Sequence, residues 1–142
     1  MIAAHLALTA AALFTGAAFY ITWAEQPARL LLDDRSLLTQ WKPSYARGFT
    51  MQASLAVAGF LFGLLAWWQS GELLWLIGAI VLVANWPFTM FVIMPVNHTL
   101  NDIAPEQAGP QSRDLIEKWG GLHSVRTMLG AAATLLFLWA LS

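Results

Sequence analysis

Hydrophobic positions run through this chain in four long stretches, and the charged positions between them gather into two short ones. From Met1 to Ala24 the sole ionisable side chain is His5, from Gly48 to Gly71 there is none, and from Leu73 to Asn101 there is His98 alone. Each stretch is long enough to cross a hydrocarbon core, which takes about 20 helical residues. A fourth run, Thr127 to Ser142, is shorter and makes a span only if its helix starts upstream and takes in His123 and Arg126. The pattern predicts transmembrane helices near residues 2–24, 47–70, 73–95 and 119–141, an all-α integral membrane four-helix bundle in one domain over 1–142.

The cations set an orientation. All seven Lys and Arg residues lie in Arg29–Arg47 or Arg113–Arg126, whereas the turn at Gln69–Glu72 has none. Positive-inside logic puts both long connections in the cytoplasm and both termini outside. The expected setting is a bacterial inner (plasma) membrane. Trp23, Trp41 and Trp119 fall at the predicted cytoplasmic interface and Trp67, Trp68, Trp75 and Trp139 at the other, as aromatic belts would; Trp86 is in mid-span. Within the first connection, Ser36–Trp41 predicts a short amphipathic helix on the membrane surface. In the last, Pro105, Gly109 and Pro110 break the chain before a helical stretch from Ser112 to Trp119, and Gly120-Gly121 allows a bend or close packing.

Composition changes this picture little but excludes much. Hydrophobic residues make up 58% of the 142 and charged residues 11%, against about 25% charged in soluble domains; mean hydropathy is +0.61. The spans leave no room for a soluble catalytic domain. A net charge of -1 with no basic face argues against nucleic acid as a partner. The absence of cysteine removes disulfides, Fe–S clusters and thiolate metal sites. The first stretch lacks a basic start and is longer than the 7–15 apolar residues usual in a signal peptide, so it reads as a retained span. Gly59 and Gly63 form a GxxxG pair and Ala12 with Gly16 a similar small-residue pair, both permitting close helix contact; a homo-oligomer through the Gly59/Gly63 face is one use of the former.

Polar residues at membrane depth must be buried in the bundle or line a cavity. They concentrate towards the cytoplasmic half: Tyr20, Glu25 and Arg29 around the end of helix 1, Tyr45, Arg47 and Gln52 at the start of helix 2, Asn97 and His98 after helix 3, and Trp119, His123 and Arg126 leading into helix 4. The last three stand at i, i+4 and i+7, so they share one helix face. Glu25 is placed to pair with Arg29, Arg47 or Arg126. Asn85, Pro87 and Thr89 predict a kink in helix 3 whose freed carbonyls polar side chains help to satisfy.

Several of these stretches together carry a resemblance. Gly16-Ala-Ala-Phe-Tyr20 leading into Glu25-Gln-Pro-Ala-Arg29, Trp41-Lys-Pro-Ser-Tyr-Ala-Arg-Gly48, Pro95-Val-Asn-His-Thr-Leu100 and the Trp119, His123, Arg126 triplet resemble the small four-span membrane family that includes the fungal anthrone oxygenases. The resemblance implies oxidation of an anthrone to an anthraquinone by dioxygen, without metal or organic cofactor. On that reading His123 or His98 is the base, Arg126 with Asn97 stabilises the phenolate-like oxygen, and Trp119 and Tyr45 stack on the flat substrate. Glu25, Arg29, Arg47 and Gln52 complete the expected substrate pocket. Its partners are membrane lipid, a hydrophobic aromatic molecule and dioxygen.

Two other readings stand beside it. His98 and His123, at one predicted membrane level, offer imidazole ligands to haem or another metal centre. Alternatively, the polar cluster ties helix ends together in a non-enzymatic scaffold or small-molecule binder.

Overall fold

The computed structural model describes residues 1–142 and is all-helical: α1 (Ile2–Arg29), α2 (Asp34–Ser70), α3 (Leu73–Asp102) and α4 (Pro110–Leu141), each long and apolar enough to cross a membrane. The chain is a four-helix membrane bundle running up, down, up, down. Neighbours in sequence pack side by side, α4 closes against α1, and α1 and α3 occupy opposite corners. At 28 to 37 residues the helices reach about 42–55 Å at 1.5 Å per residue, well beyond a hydrocarbon core of about 30 Å.

The inward positions follow a three-four spacing. On α4 they are Ser112, Ile116, Trp119, His123, Arg126, Gly130, Ala133 and Phe137, and on α2 the run Gln52, Ala56, Gly59, Gly63, Ala66 repeats it. This is the seam of a left-handed bundle. Two apolar clusters fill it. One, towards the termini, packs α1 alanines with Phe14, Trp75, Leu82 and Phe137. The other, towards the long connections, packs Leu37, Leu38, Trp41, Leu100, Ile116 and Trp119. The polar residues occupy the same seam between them.

Two helices carry a π-helical turn, Ile21–Glu25 in α1 and Thr89–Ile93 in α3. Each adds a residue to the inward spacing. After Ala18 the α1 seam passes through Thr22 and Gln26 before Arg29, and the α3 seam steps by four through Asn85, Thr89, Ile93 and Asn97. Such turns re-aim side chains and recur at functional sites.

Several expectations are corrected. Ser36–Trp41 is not a separate surface helix: it forms early turns of α2, with Leu37, Leu38 and Trp41 fully buried against α3 and α4. Asp33 caps that helix, accepting from Ser36 N at 3.0 Å and Ser36 Oγ at 2.8 Å, contacts that hold its carboxyl below the usual carboxylate range. Likewise α4 starts at Pro110 and runs unbroken past Gly120-Gly121; Gly120 is there because Gln26 lies against it. Of the expected interfacial indoles, Trp41, Trp75 and Trp119 turn inward and are buried, while Trp23, Trp68 and Trp139 remain exposed. The Gly59/Gly63 face is packed within the chain against Leu82, Ala79 and Phe137, and Gly16 faces outward with nothing near it.

The cations of the connections also hold the helix ends. Lys42 Nζ donates to the carbonyls of Ile103 at 2.6 Å and Asn101 at 3.1 Å, and Arg113 binds the Leu30 carbonyl at 3.0 Å and Asp34. Positive groups at helix C-termini satisfy carbonyls that would otherwise lack partners.

A Cβ on Gly78 would meet the buried Phe137 ring at 2.6 Å. Gly78→Ala is therefore expected to destabilise the bundle by about 1–3 kcal/mol, whereas Gly16→Ala is expected to be neutral or stabilising by up to about 1 kcal/mol. Thermal unfolding in detergent, followed by circular dichroism, compares the two.

Candidate functional site

Between the two apolar clusters lies a layer of polar side chains drawn from all four helices. The α1 π turn and Pro27 direct Arg29 inward to 3% exposure, α2 supplies Gln52 at 1%, α3 supplies Asn97 at 1%, and α4 supplies His123 at 2% and Arg126 at 6%. Trp119 roofs the layer. Its ring stacks on His123 with centroids 5.0 Å apart, meets Trp41 edge-on at 5.9 Å and lies 5.5 Å from the Arg29 guanidinium carbon. Trp41 stacks in turn on Tyr45 at 4.4 Å, and the Tyr45 hydroxyl accepts from Asn101 at 2.9 Å.

Arg29 and Arg126 are treated very differently. Arg29 Nη2 binds Glu25 Oε1 at 2.8 Å and Ser44 Oγ at 3.0 Å; Ser44 in turn donates to Glu25, as does Gln40 at 3.2 Å. Arg126 has no carboxylate partner and no hydrogen bond from its Nε; its guanidinium carbon lies 5.7 Å from the centroid of the Phe14 ring. Glu25 balances Arg29, so the layer retains the charge of Arg126. An uncompensated cation at this depth is unfavourable, and it is the natural complement of an anion.

The small cavity enclosed by this layer is bounded by Arg29, Gln52, Asn97, Trp119, His123 and Arg126, with Tyr45 and Ser44 at its edge. Its volume is about 10 Å³, space for about one water. The polar atoms around it are largely unpartnered: both ends of the Gln52 amide, Asn97 Oδ1, Trp119 Nε1 and Arg29 Nε and Nη1. Buried polar groups normally find partners. His123 Nδ1 lies 3.4 Å from Thr22 Oγ1, which is 3.0 Å from Thr127 Oγ1. The Thr22 contact is at the weak limit of hydrogen bonding, and Nε2 is the other ring nitrogen.

The structure therefore brings together His123, Arg126, Asn97, Trp119, Tyr45, Arg29, Gln52 and, at the rim, Glu25. It leaves out two of the expected residues. His98 follows Asn97 by one residue, about 100° around the helix, and is exposed on the outer face. Arg47 is exposed beside Thr50 and Met51 on the bundle surface. His98 is outside and His123 enclosed, so the chamber holds one imidazole, and no three His, Cys, Asp or Glu side chains converge as a metal site. Sequence reasoning missed Thr22, Ser44 and Gln26. Gln26 crosses to the Ile116 carbonyl at 2.9 Å, and only the glycine at position 120 that admits it gave a hint.

Removing Glu25 strands Arg29. Glu25→Ala is expected to lower the unfolding temperature by the equivalent of about 2–3 kcal/mol, and the pair Glu25→Gln/Arg29→Met to recover most of the loss. Tryptophan fluorescence during thermal unfolding of the three proteins gives the comparison.

The family model described as anthrone oxygenase matches residues 41–136, the segment containing Tyr45, Gln52, Asn97, Trp119, His123 and Arg126. An anthrone oxygenase of Claviceps purpurea (strain 20.1) is 29% identical over 148 residues, covering 92% of this chain and 83% of its own. No solved structure matches. With the match spanning most of the bundle and nearly all of the polar layer, the chain belongs to the anthrone oxygenase family.

Proposed function

We propose that the protein oxidises a lipophilic phenolic ketone of the anthrone type with dioxygen, using its own side chains and no metal or organic cofactor. The observation that carries this reading is Arg126: a buried guanidinium without a counter-ion, one helical turn from the buried His123 imidazole. His123 removes a proton from the acidic ring methylene. The negative charge spreads onto the ring oxygen, where Arg126 stabilises it in a site of low dielectric. The anion reduces dioxygen and combines with it; loss of water then converts the methylene to a carbonyl, one oxygen atom going to product and the other to water. Trp119 and Tyr45 supply aromatic faces, and Asn97 and Gln52 supply amides for the substrate oxygens.

A site and a structural network answer substitution differently. Arg126→Met is expected to abolish oxygen uptake with an anthrone while leaving the unfolding temperature unchanged or raised, because it removes an unpaired buried charge. His123→Ala is expected to lower uptake at least about 100-fold with helical content intact, and His98→Ala to retain it. Full turnover in His123→Ala would sink the assigned base, and collapse of the fold in Arg126→Met would turn the layer into a structural tie.

We further propose the orientation that the cations favour, with both long connections in the cytoplasm and both termini outside a bacterial plasma membrane. The chain has no cysteine, so single replacements report cleanly. In intact cells, Ser142→Cys is expected to react with a membrane-impermeant maleimide and Arg35→Cys to be protected until lysis; the opposite pattern inverts the topology.

A further inference from the structure

One threonine differs from the other eight. Six place their hydroxyls on the carbonyl four residues earlier, and Thr22 and Thr127 bond each other. Thr89, only 3% exposed, bonds nothing. One turn earlier, Asn85 donates its Nδ2 to the Leu82 carbonyl at 3.0 Å, but its Oδ1 has no partner at 1% exposure. Together with Arg126 Nε, these atoms belong to residues lining a second cavity, between α2 and α3. Phe49 and Arg126 line both this cavity and the His123 chamber, so the two meet at the unpaired guanidinium.

The outer wall of this second cavity is thin. Trp86 and Met90 form it, and they are 43% and 51% exposed on the outside of the bundle. The indole of Trp86 is held by a single long contact, Nε1 to the Ala53 carbonyl at 3.4 Å, at the weak limit of hydrogen bonding. On the far side of Trp86 lies an open groove of about 570 Å³ between α2 and α3, walled by Val57, Phe60, Leu61 and Ile80 and wholly apolar. That volume is in the range of small-molecule pockets, whereas each inner cavity is about 10 Å³. The inner cavities are too small for a tricyclic molecule, which reaches that space from the groove only if the wall moves.

We propose that lipophilic phenols and aromatic ketones enter from the bilayer between α2 and α3: their rings settle in the apolar groove, Trp86 swings aside as a latch, and their oxygens bond Thr89, Asn85 and Arg126 at an entry subsite before the molecule moves on to the His123 chamber. The chemistry is complementary. Asn85 Oδ1 accepts from a phenolic hydroxyl, Arg126 Nε donates to a ring carbonyl, and the Thr89 hydroxyl does either. This rests on the reading of the substrate class above and adds the route and the subsite.

The test is binding of 1,8-dihydroxyanthraquinone to the full chain in phosphatidylcholine nanodiscs, followed by ligand fluorescence at equilibrium and in stopped flow. Thr89→Val is expected to weaken binding roughly 5- to 20-fold, Thr89→Ser to restore it, and Thr99→Val to leave it unchanged. Trp86→Ala is expected to speed both association and release about tenfold, as removal of a gate does. Wild-type affinity in Thr89→Val with unchanged rates in Trp86→Ala would overturn the route while leaving the oxygenase reading intact. Binding that follows these variants without oxygen uptake on any anthrone would keep the route and overturn the oxygenase, and no binding by the wild type would overturn both.

Discussion

A guanidinium without a counter-ion, held about 22 Å along the helix axis from the Leu141 end, constrains much of the rest of the bundle. Lipid offers no partner to Arg126, so the helices around it must exclude lipid and present polar groups. Apolar clusters seal the layer on both sides along the bundle axis. Glu25, the one acid in the layer, is engaged by Arg29, Ser44 and Gln40, which leaves Arg126 uncompensated. A bundle selected for stability alone would replace Arg126 with an apolar side chain of similar volume. The proposed function rests on the presence of Arg126.

Close packing makes the layer possible. Where lipid provides no hydrophobic drive between helices, contact depends on small residues and shape. The buried α1 alanines, with Gly59, Gly63, Gly78 and Gly130, bring backbones together around Phe14 and Phe137. The tight half fixes the register of the seam, and the two π turns then shift it where α1 and α3 enter the polar half. The result is a tightly packed base carrying a less regular chamber with unpartnered amides.

The end holding the long connections serves two purposes with one set of residues. Lys42 and Arg113 cap helix ends and also carry the charge bias that orients a membrane protein. Trp41 and Trp119 fall at the level expected of interfacial indoles, yet they build the roof of the chamber. An exposed pair such as Arg35 with Glu106, at 3.1 Å and about two-thirds exposed, adds little.

The sequence by itself determined the four spans, because an uncharged run of bilayer length has few other solutions, and it determined the family through motifs spread along the chain. It also placed Trp119, His123 and Arg126 on one face, since α4 is regular and i, i+4, i+7 keeps its phase. Tertiary structure alone decided which face of the other helices turns inward. A π turn adds a residue and so rotates everything after it by about 100°, enough to bring Asn97 into the chamber. Arg47 lies on an outward face of α2 for the related reason that Gln52 takes the seam position. Periodicity gives the relative angle between residues on one straight helix, whereas the direction of the bundle axis, and hence the burial of Thr89 or the inward turn of Trp41, is set by the packing of the other three.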